Sequence, residues 1–331
     1  MGYKLSLLDQ SPIAEGMSVE QALAQTVSLA KVAEALGYYR FWVSEHHNSD
    51  ELAGSSPEVL ITWLLAHTTT LRIGSGGVML QHYSPYKVAE NFHVIGALAG
   101  GRVDLGIGKA PGGLPLATRA LQQEIGEAER VSFTEKLQQL NRFLDSYDEA
   151  AERLNATPLP EHTPQRFLLG ASQESARLAA SLGWNFVFAG FINASETLLT
   201  ESLLSYRELK PASAQTLLSL SVIAAERHED AEALASTQHN YKVYIENKPP
   251  LTVGSQEQAD NFVRQAGATD FRIVQEPRNV LYGTPAHIHQ QLERYHQRFG
   301  VDEFIIHTSV TSPREREASI RLLASRHRAE Q

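Results

Sequence analysis

Apolar and polar positions along the chain follow two alternating rhythms. Short apolar or β-branched runs, which suit buried strands, give way to longer stretches where apolar residues recur every three or four positions, the spacing of one helix face. Tyr3–Leu8 reads as a strand, and Val19–Leu36 as an amphipathic helix stopped by Gly37. Arg40–Val43 is the second strand. Pro57–Thr68 is a helix with proline in its first turn, where the missing N–H costs little. Leu71–Leu80 is the third strand, Tyr86–Ala99 a helix and Val103–Ile107 the fourth strand. A Gly/Pro-rich loop, Gly108–Pro115, leads into a long helical stretch through Ala151. The alternation continues with Phe167–Leu169, Ser175–Leu182, Phe186–Ala189, Ser195–Leu209 and Leu217–Ala224.

The rhythm then breaks. His228–Gly283 holds a helix, the Lys248-Pro-Pro250 interruption, a second helix around Gln256–Ala266 and an irregular Asp270–Tyr282. Glu303–His307 is the eighth strand, and a closing helix runs from Pro313 to about Ser325. Eight strands with intervening helices predict an α/β fold, a closed (β/α)8 TIM barrel with an insertion before the last strand. The expected organisation is one domain over 1–331, with the insertion at about 228–283.

Composition narrows the function classes. The net charge of −9 is spread along the 331 residues, which disfavours nucleic acid or an anionic membrane as partner. With no cysteine, a disulfide scaffold, a thiolate metal site and cysteine catalysis are all excluded. The first residues lack the long apolar core of a signal peptide, and no window approaches 18 apolar residues, so a cytoplasmic protein is expected.

In such barrels chemistry sits where strands end. The second strand runs into Ser44-Glu45-His46-His47, which places imidazoles and a carboxylate there. A metal site is the weaker reading, because neighbouring histidines in a strand point to opposite faces; surface loop histidines are the bland one. The third strand carries Gly74-Ser75-Gly76-Gly77, costly in a strand interior. Either a flat ligand lies against bare backbone or the strand has a bulge. Lys109, in the glycine-rich stretch after the fourth strand, offers a point charge to an anion, although taken alone that stretch reads as a flexible loop. Ser172 and Ser175 follow the fifth strand at a helix start, where an ordinary serine cap competes with a phosphate site. His82, Tyr83 and Phe191 could rim a pocket for an apolar or aromatic substrate.

Five segments together resemble the bacterial luciferase-like flavin-dependent monooxygenases. They are Leu5–Pro12, Phe41–His47, Arg72–Leu80 with Ser84-Pro85, Gly101–Gly108 and Leu169–Ser172, in register at successive strand ends. The resemblance implies a two-component enzyme that takes reduced FMN from a separate flavin reductase and uses O2 to oxygenate a small organic substrate. His46 matches a histidine assisting proton transfer, and Glu45 belongs to the same motif at the cofactor. Gly76 and Gly77 match a pair typically joined by a cis peptide beneath the flavin. Lys109 stands where relatives commonly have an arginine on the FMN phosphate; Ser172, Gln173 and Ser175 match the remaining phosphate contacts. Gly108 stands where luciferase carries a reactive cysteine, so nothing involving that thiol transfers. A homodimer packed through the early helices is also implied. A deazaflavin-dependent hydride-transfer enzyme, or a non-catalytic flavin-binding relative, would use the same barrel.

Overall fold

A computed structural model describes residues 2–123, 126, 131–145, 154–193, 195–246, 248 and 250–329, with side chains through 325. The strands in chain order are β1 (Lys4–Asp9), β2 (Arg40–Val43), β3 (Arg72–Ser75), β4 (Val78–Met79), β5 (Val103–Gly108), β6 (Gln165–Gly170), β7 (Asn185–Ala189) and β8 (Thr216–Ala224). Helices α1 (Val19–Leu36), α2 (Pro57–Ala66), α3 (Pro85–Ala99), α4 (Pro115–Leu121), α5 (Phe133–Leu144), α6 (Gln173–Ser181) and α7 (Glu196–Leu209) alternate with them. Residues 228–283 follow with α8 (His228–Ser236), β9 (His239–Ile245), β10 (Leu251–Val253), α9 (Gln256–Ala266), β11 (Phe271–Pro277) and β12 (Leu281–Gly283). Then α10 (Pro285–Phe299), β13 (Glu303–His307) and α11 (Pro313–Ala329) complete the chain.

The barrel closes. Parallel pairing runs β1–β2–β3–β5–β6–β7–β8–β13 and returns to β1, with Leu8 opposite His307 at the seam. Inside the ring Leu8, Trp42, Phe167, Val187, Leu217 and Ile305 pack together, and a larger apolar layer fills the space between strands and helices. Local chemistry sets the boundaries of α1. Ser18 and Gln21 form a reciprocal capping box, and Gly37 takes φ 77°, a left-handed C-cap that glycine adopts without a Cβ penalty.

At the end where strands begin, charge replaces hydrocarbon. Arg40, fully buried, donates from Nε and Nη2 to Glu303 at 2.6 and 2.9 Å and from Nη1 to Asp104 at 2.7 Å. Asp104 also accepts from Arg72 Nη2 at 2.6 Å and Trp42 Nε1 at 3.0 Å, and Glu303 accepts from Ser6. The network ties β1, β2, β3, β5 and β13 together at the base.

Four sequence expectations need correcting. The third strand is not continuous: it breaks into β3 and β4. The helical stretch after Pro115 is two helices, α4 and α5, and its expected end at Ala151 lies outside the described residues. Asp270–Tyr282 is regular, since β11 pairs antiparallel with β9 while β12 extends β8 in parallel. Helix α10, with Thr284 as cap and Pro285 at its start, was not anticipated. Strands β10, β9 and β11 form a three-stranded sheet on which α9 packs around Val243, Ala259 and Val263.

Candidate active site

All parallel strands point their C-terminal ends to one mouth, and the sequence-predicted residues fall there. After β2 the chain is held extended, with His46 N–H donating to Gly54 O at 2.8 Å and His47 N–H to Gly112 O at 2.7 Å. Glu45, 1% exposed, accepts from the Met79 N–H at 3.0 Å, from the Tyr83 hydroxyl at 2.7 Å and pairs with His47 Nε2 at 2.7 Å. Its carboxylate thus binds the β2 exit to β4 and the turn after it. Freely moving surface histidines do not describe this segment. His46 instead turns Nδ1 to Ser44 Oγ at 3.0 Å. Burial, then the nearby His47 charge, push its pKa down to about 4, so the ring is neutral near pH 7.

Gly76–Gly77 is joined by a cis peptide. Gly74 lies opposite Asp104 and Val78 opposite Ile107, so four steps along one strand match three along the other. That extra residue is a bulge. Ser75 fills the resulting ladder gap: its Oγ donates to Gly106 O at 2.9 Å and accepts the Gly106 N–H at 3.0 Å. A Cβ on Gly77 would sit 2.8 Å from Gly106 O, and one on Gly76 2.7 Å from Leu8 Cδ1. The glycines therefore have a packing reason that stands without any ligand. Gly76 N–H donates to Val43 O at 2.8 Å, which joins this backbone to the Glu45–His46 segment.

Lys109 is exposed just beyond β5, and Ser172 caps α6 just beyond β6, the strand paired with β5. Ser172 Oγ accepts the Ser175 N–H at 3.2 Å and lies 3.1 Å from Ser175 Oγ. Gln173 opens the helix. The cap reading is thus realised. Lys109 and the serines occupy neighbouring strand ends without bonding each other among the described residues.

Two of the expected rim residues are committed elsewhere. His82 is 5% exposed, bonded through Nε2 to Pro111 O at 2.7 Å and through Nδ1 to Gln122 at 2.9 Å. Tyr83 is held on Glu45, and burial followed by that carboxylate raises its phenol pKa. Phe191 remains at the rim, its ring 5.3 Å from that of His307. His307 was missed as a site residue, although it closes the eighth strand and the strand-end rule reaches it. It lies 2.9 Å through Nε2 from Gln10 Oε1, a residue 297 positions away. Burial, then the charges of Arg278, Arg316 and His46, push its pKa down to about 3.

Comparison with known proteins gives the same picture. The luciferase-like monooxygenase family profile matches residues 4–303. The N-acetyl-S-alkylcysteine monooxygenase of Bacillus subtilis strain 168 is 43% identical over 328 residues, 97% of each chain. The crystal structure of apo-MsnO8 superposes with a TM-score of 0.80 at 32% identity over 98% of each chain. The oxygenating constituent of 3,6-diketocamphane monooxygenase from Pseudomonas putida, solved with FMN, has the same fold at TM-score 0.67 and 16% identity, covering 98% of this chain and 97% of its own. With the closed barrel, the family profile and the 43%-identical relative in agreement, the chain belongs to the luciferase-like monooxygenase family and is a monooxygenase.

Proposed function

We propose that the protein is the oxygenase half of a two-component system, using reduced FMN from a separate reductase and O2 to oxygenate a small organic substrate. The observation that carries this reading is the joining of the buried Glu45, the neutral His46 and the Gly76–Gly77 backbone at one mouth, beside a cation and a helix start. The residues fit a planar cofactor with a phosphate. Lys109 and the α6 start at Ser172, Gln173 and Ser175 would hold the phosphate, and Gly76 and Gly77 would admit the ring edge-close to backbone. Reduced flavin supplies the two electrons that place one oxygen atom on substrate and release the other as water.

The chain's own part is positioning and proton handling. Glu45 fixes His47 and the β4 turn, so the site floor is set before ligands arrive. His46 is held through Nδ1, which leaves Nε2, without a partner among the described residues, to take or give a proton. A sulfur-containing substrate like that named for the Bacillus relative is the reading favoured by 43% identity across the whole length.

The whole chain is proposed to act as one barrel domain with 228–283 as its insertion. No described helix is long and apolar enough to cross a membrane, and a cytoplasmic site of action fits. A homodimer is proposed through α1–α3, where a groove of about 1230 Å3 is lined by Leu23, Val27, Val59, Trp63, Val94 and Ile95. Val59 is 68% and Trp63 58% exposed there, an apolar surface that a partner subunit would cover.

The deciding experiment adds chemically reduced FMN to the protein anaerobically and then admits oxygen. Saturable binding followed by substrate-dependent oxygen uptake is expected. Binding of reduced deazaflavin instead, with hydride transfer and no oxygen uptake, would replace this reading. His46→Ala is expected to slow turnover while leaving reduced-FMN affinity within about twofold; normal turnover would remove the histidine from the mechanism.

A further inference from the structure

The inner face of the barrel decides which polar groups look into the mouth. Side chains along a barrel strand alternate in and out, and Leu8, Trp42, Leu217 and Ile305 point inward. Two residues further along the same strands stand Gln10, Ser44, Ser219 and His307, polar members of the next inward layer. Three of them are committed. Ser44 Oγ lies 3.0 Å from His46 Nδ1, Ser219 Oγ donates to Ile305 O at 3.1 Å, and His307 Nε2 meets Gln10 Oε1 at 2.9 Å. Gln10 spends only its oxygen. Its amide nitrogen has no partner among the described residues, and the residue is partly exposed.

His307 sets which way that amide points. Its Nδ1 is buried without an acceptor among the described residues. A proton there would be an orphaned buried N–H, a rarity in folded proteins, whereas an unused lone pair is better tolerated. The single proton of the neutral ring therefore sits on Nε2 and is donated to Gln10 Oε1, which turns the amide NH2 away from His307. The sealed imidazole is thus a lock on the orientation of Gln10. The main chain is fixed on both sides of that residue as well. Asp9 O accepts the Ser44 N–H at 3.2 Å, and Ser11 O accepts the Ala53 N–H at 2.9 Å. Gln10 consequently stands beside the β2 exit: a Cβ on Gly54 would lie 3.7 Å from Gln10 O and 3.2 Å from Ser44 O, and Gly54 O holds the His46 N–H.

An apolar surface faces the same space. Phe191 follows β7, packs on the inward cluster and is partly exposed. Its ring stands 5.3 Å from that of His307 at the end of β13, although β8 lies between those two strands. The ring therefore spans the mouth side of β8. One half of the mouth thus offers an aromatic face and an oriented N–H donor, both resting on His307.

We propose that Gln10 is a specificity-determining residue: its amide N–H binds a carbonyl oxygen of a substrate whose apolar chain lies on Phe191, and His307 is the positioning residue that aims that amide. The substrate class is a small apolar carbonyl compound. The inference rests on the oxygenase reading for what enters the mouth, and its test reads binding apart from turnover.

The experiment is calorimetric titration of the full-length protein, with FMN present, by two probes of one shape. They are 4-(methylthio)butan-2-one and isopentyl methyl sulfide, in which CH–CH3 replaces C=O. The quantity read is the ratio of their affinities. Gln10→Met, of similar length and without the amide, should lower the relative affinity of the ketone about 3- to 10-fold, the range for one neutral hydrogen bond. Gln10→Glu keeps the shape and the bond to His307 but puts an acceptor oxygen where the N–H stood, and should lower the ratio as far. His307→Leu should lower it in part, whereas His307→Gln, whose amide supplies an N–H in place of Nε2–H, should keep it. Phe191→Ala should weaken both probes together and leave the ratio as in the wild type. Circular dichroism spectra like that of the wild type show the barrel intact in each variant. A ratio that survives Gln10→Met and Gln10→Glu, or no binding of the ketone by the wild-type protein, overturns the subsite. A ratio unchanged in His307→Leu overturns the positioning role of the histidine. If the ratio responds as expected but reduced FMN and oxygen give no uptake with either probe, the oxygenase reading fails and the subsite stands.

Discussion

Replacing Arg40 by methionine, of similar length but uncharged, tests what the polar base of the barrel contributes. The two carboxylates it serves are affected unequally. Asp104 keeps Arg72 at 2.6 Å and Trp42 Nε1 at 3.0 Å, whereas Glu303 loses both Arg40 bonds, at 2.6 and 2.9 Å, and among the described residues keeps only the Ser6 hydroxyl. Both carboxylates are fully buried. The cost therefore falls on one stranded carboxylate, and breaking a buried pair in this way destabilises by about 3–5 kcal/mol. With a urea slope of about 3 kcal/mol/M, the unfolding midpoint should fall by roughly 1–1.7 M. Protonation relieves the stranded charge, so the deficit of Arg40→Met against wild type should shrink as pH is lowered from about 7 to about 5. Adding Glu303→Gln to the variant should recover part of the loss at about pH 7, since an amide replaces the charge. A cost below about 1 kcal/mol, or a deficit that does not change with pH, would refute the view that this network is a matched set of buried charges.

Three further outcomes are expected. His46 and His307 have pKa values pushed below the ordinary 6.5, to about 4 and about 3, so the unfolded chain binds the extra protons. Their contribution to stability is complete above pH 6.5 and is lost as pH falls from there toward 4 and 3, by up to about 1.4 kcal/mol per pH unit for each group; chemical denaturation at several pH values should show a shallower acid loss in His307→Asn. Lys109→Ala should weaken FMN binding several-fold and leave the unfolding midpoint unchanged, whereas Ser172→Ala should weaken FMN and also cost about 1 kcal/mol by removing the α6 cap, both read by flavin titration and denaturation. Trp63→Asp should give a monomer in sedimentation velocity experiments if α2 lies in a subunit interface, and an unchanged dimer would place the interface elsewhere.

Much of the fold could be read from the chain because its signals are local. Helix α1 announces both ends through Ser18, Gln21 and Gly37, and buried strands such as Phe186–Ala189 are plain apolar runs. Strand β11 gave no such signal. Five of its seven residues are exposed, so Phe271-Arg-Ile-Val-Gln-Glu-Pro carries no alternation to mark a face. The break between β3 and β4 was equally hidden, since a one-residue bulge is defined by a partner strand about 30 residues away. Helix α10 did carry a signal, Thr284-Pro285 before it and Gly300 after it. At the site, the Ser44–His47 segment and the glycine pair were legible as motifs. His307 belongs to no motif and only its place at a strand end pointed to it; its meeting with Gln10 exists only once β1 and β13 close the ring.

The sheet of β9, β10 and β11 has its own small apolar centre around Val243, Ala259 and Val263, apart from the barrel's. Its pairings span neighbouring stretches of chain, and the described side-chain bonds tying it to the barrel loops are those of Gln258 and Gln265. Such a unit unfolds at a lower free energy than the structure beneath it. Amides of β9 should therefore exchange with solvent sooner than those of β8, although both lie in regular sheet. That hierarchy would let the small sheet open without disturbing the eight-stranded ring. It also lets that sheet diverge in sequence while the ring that holds the chemistry stays fixed.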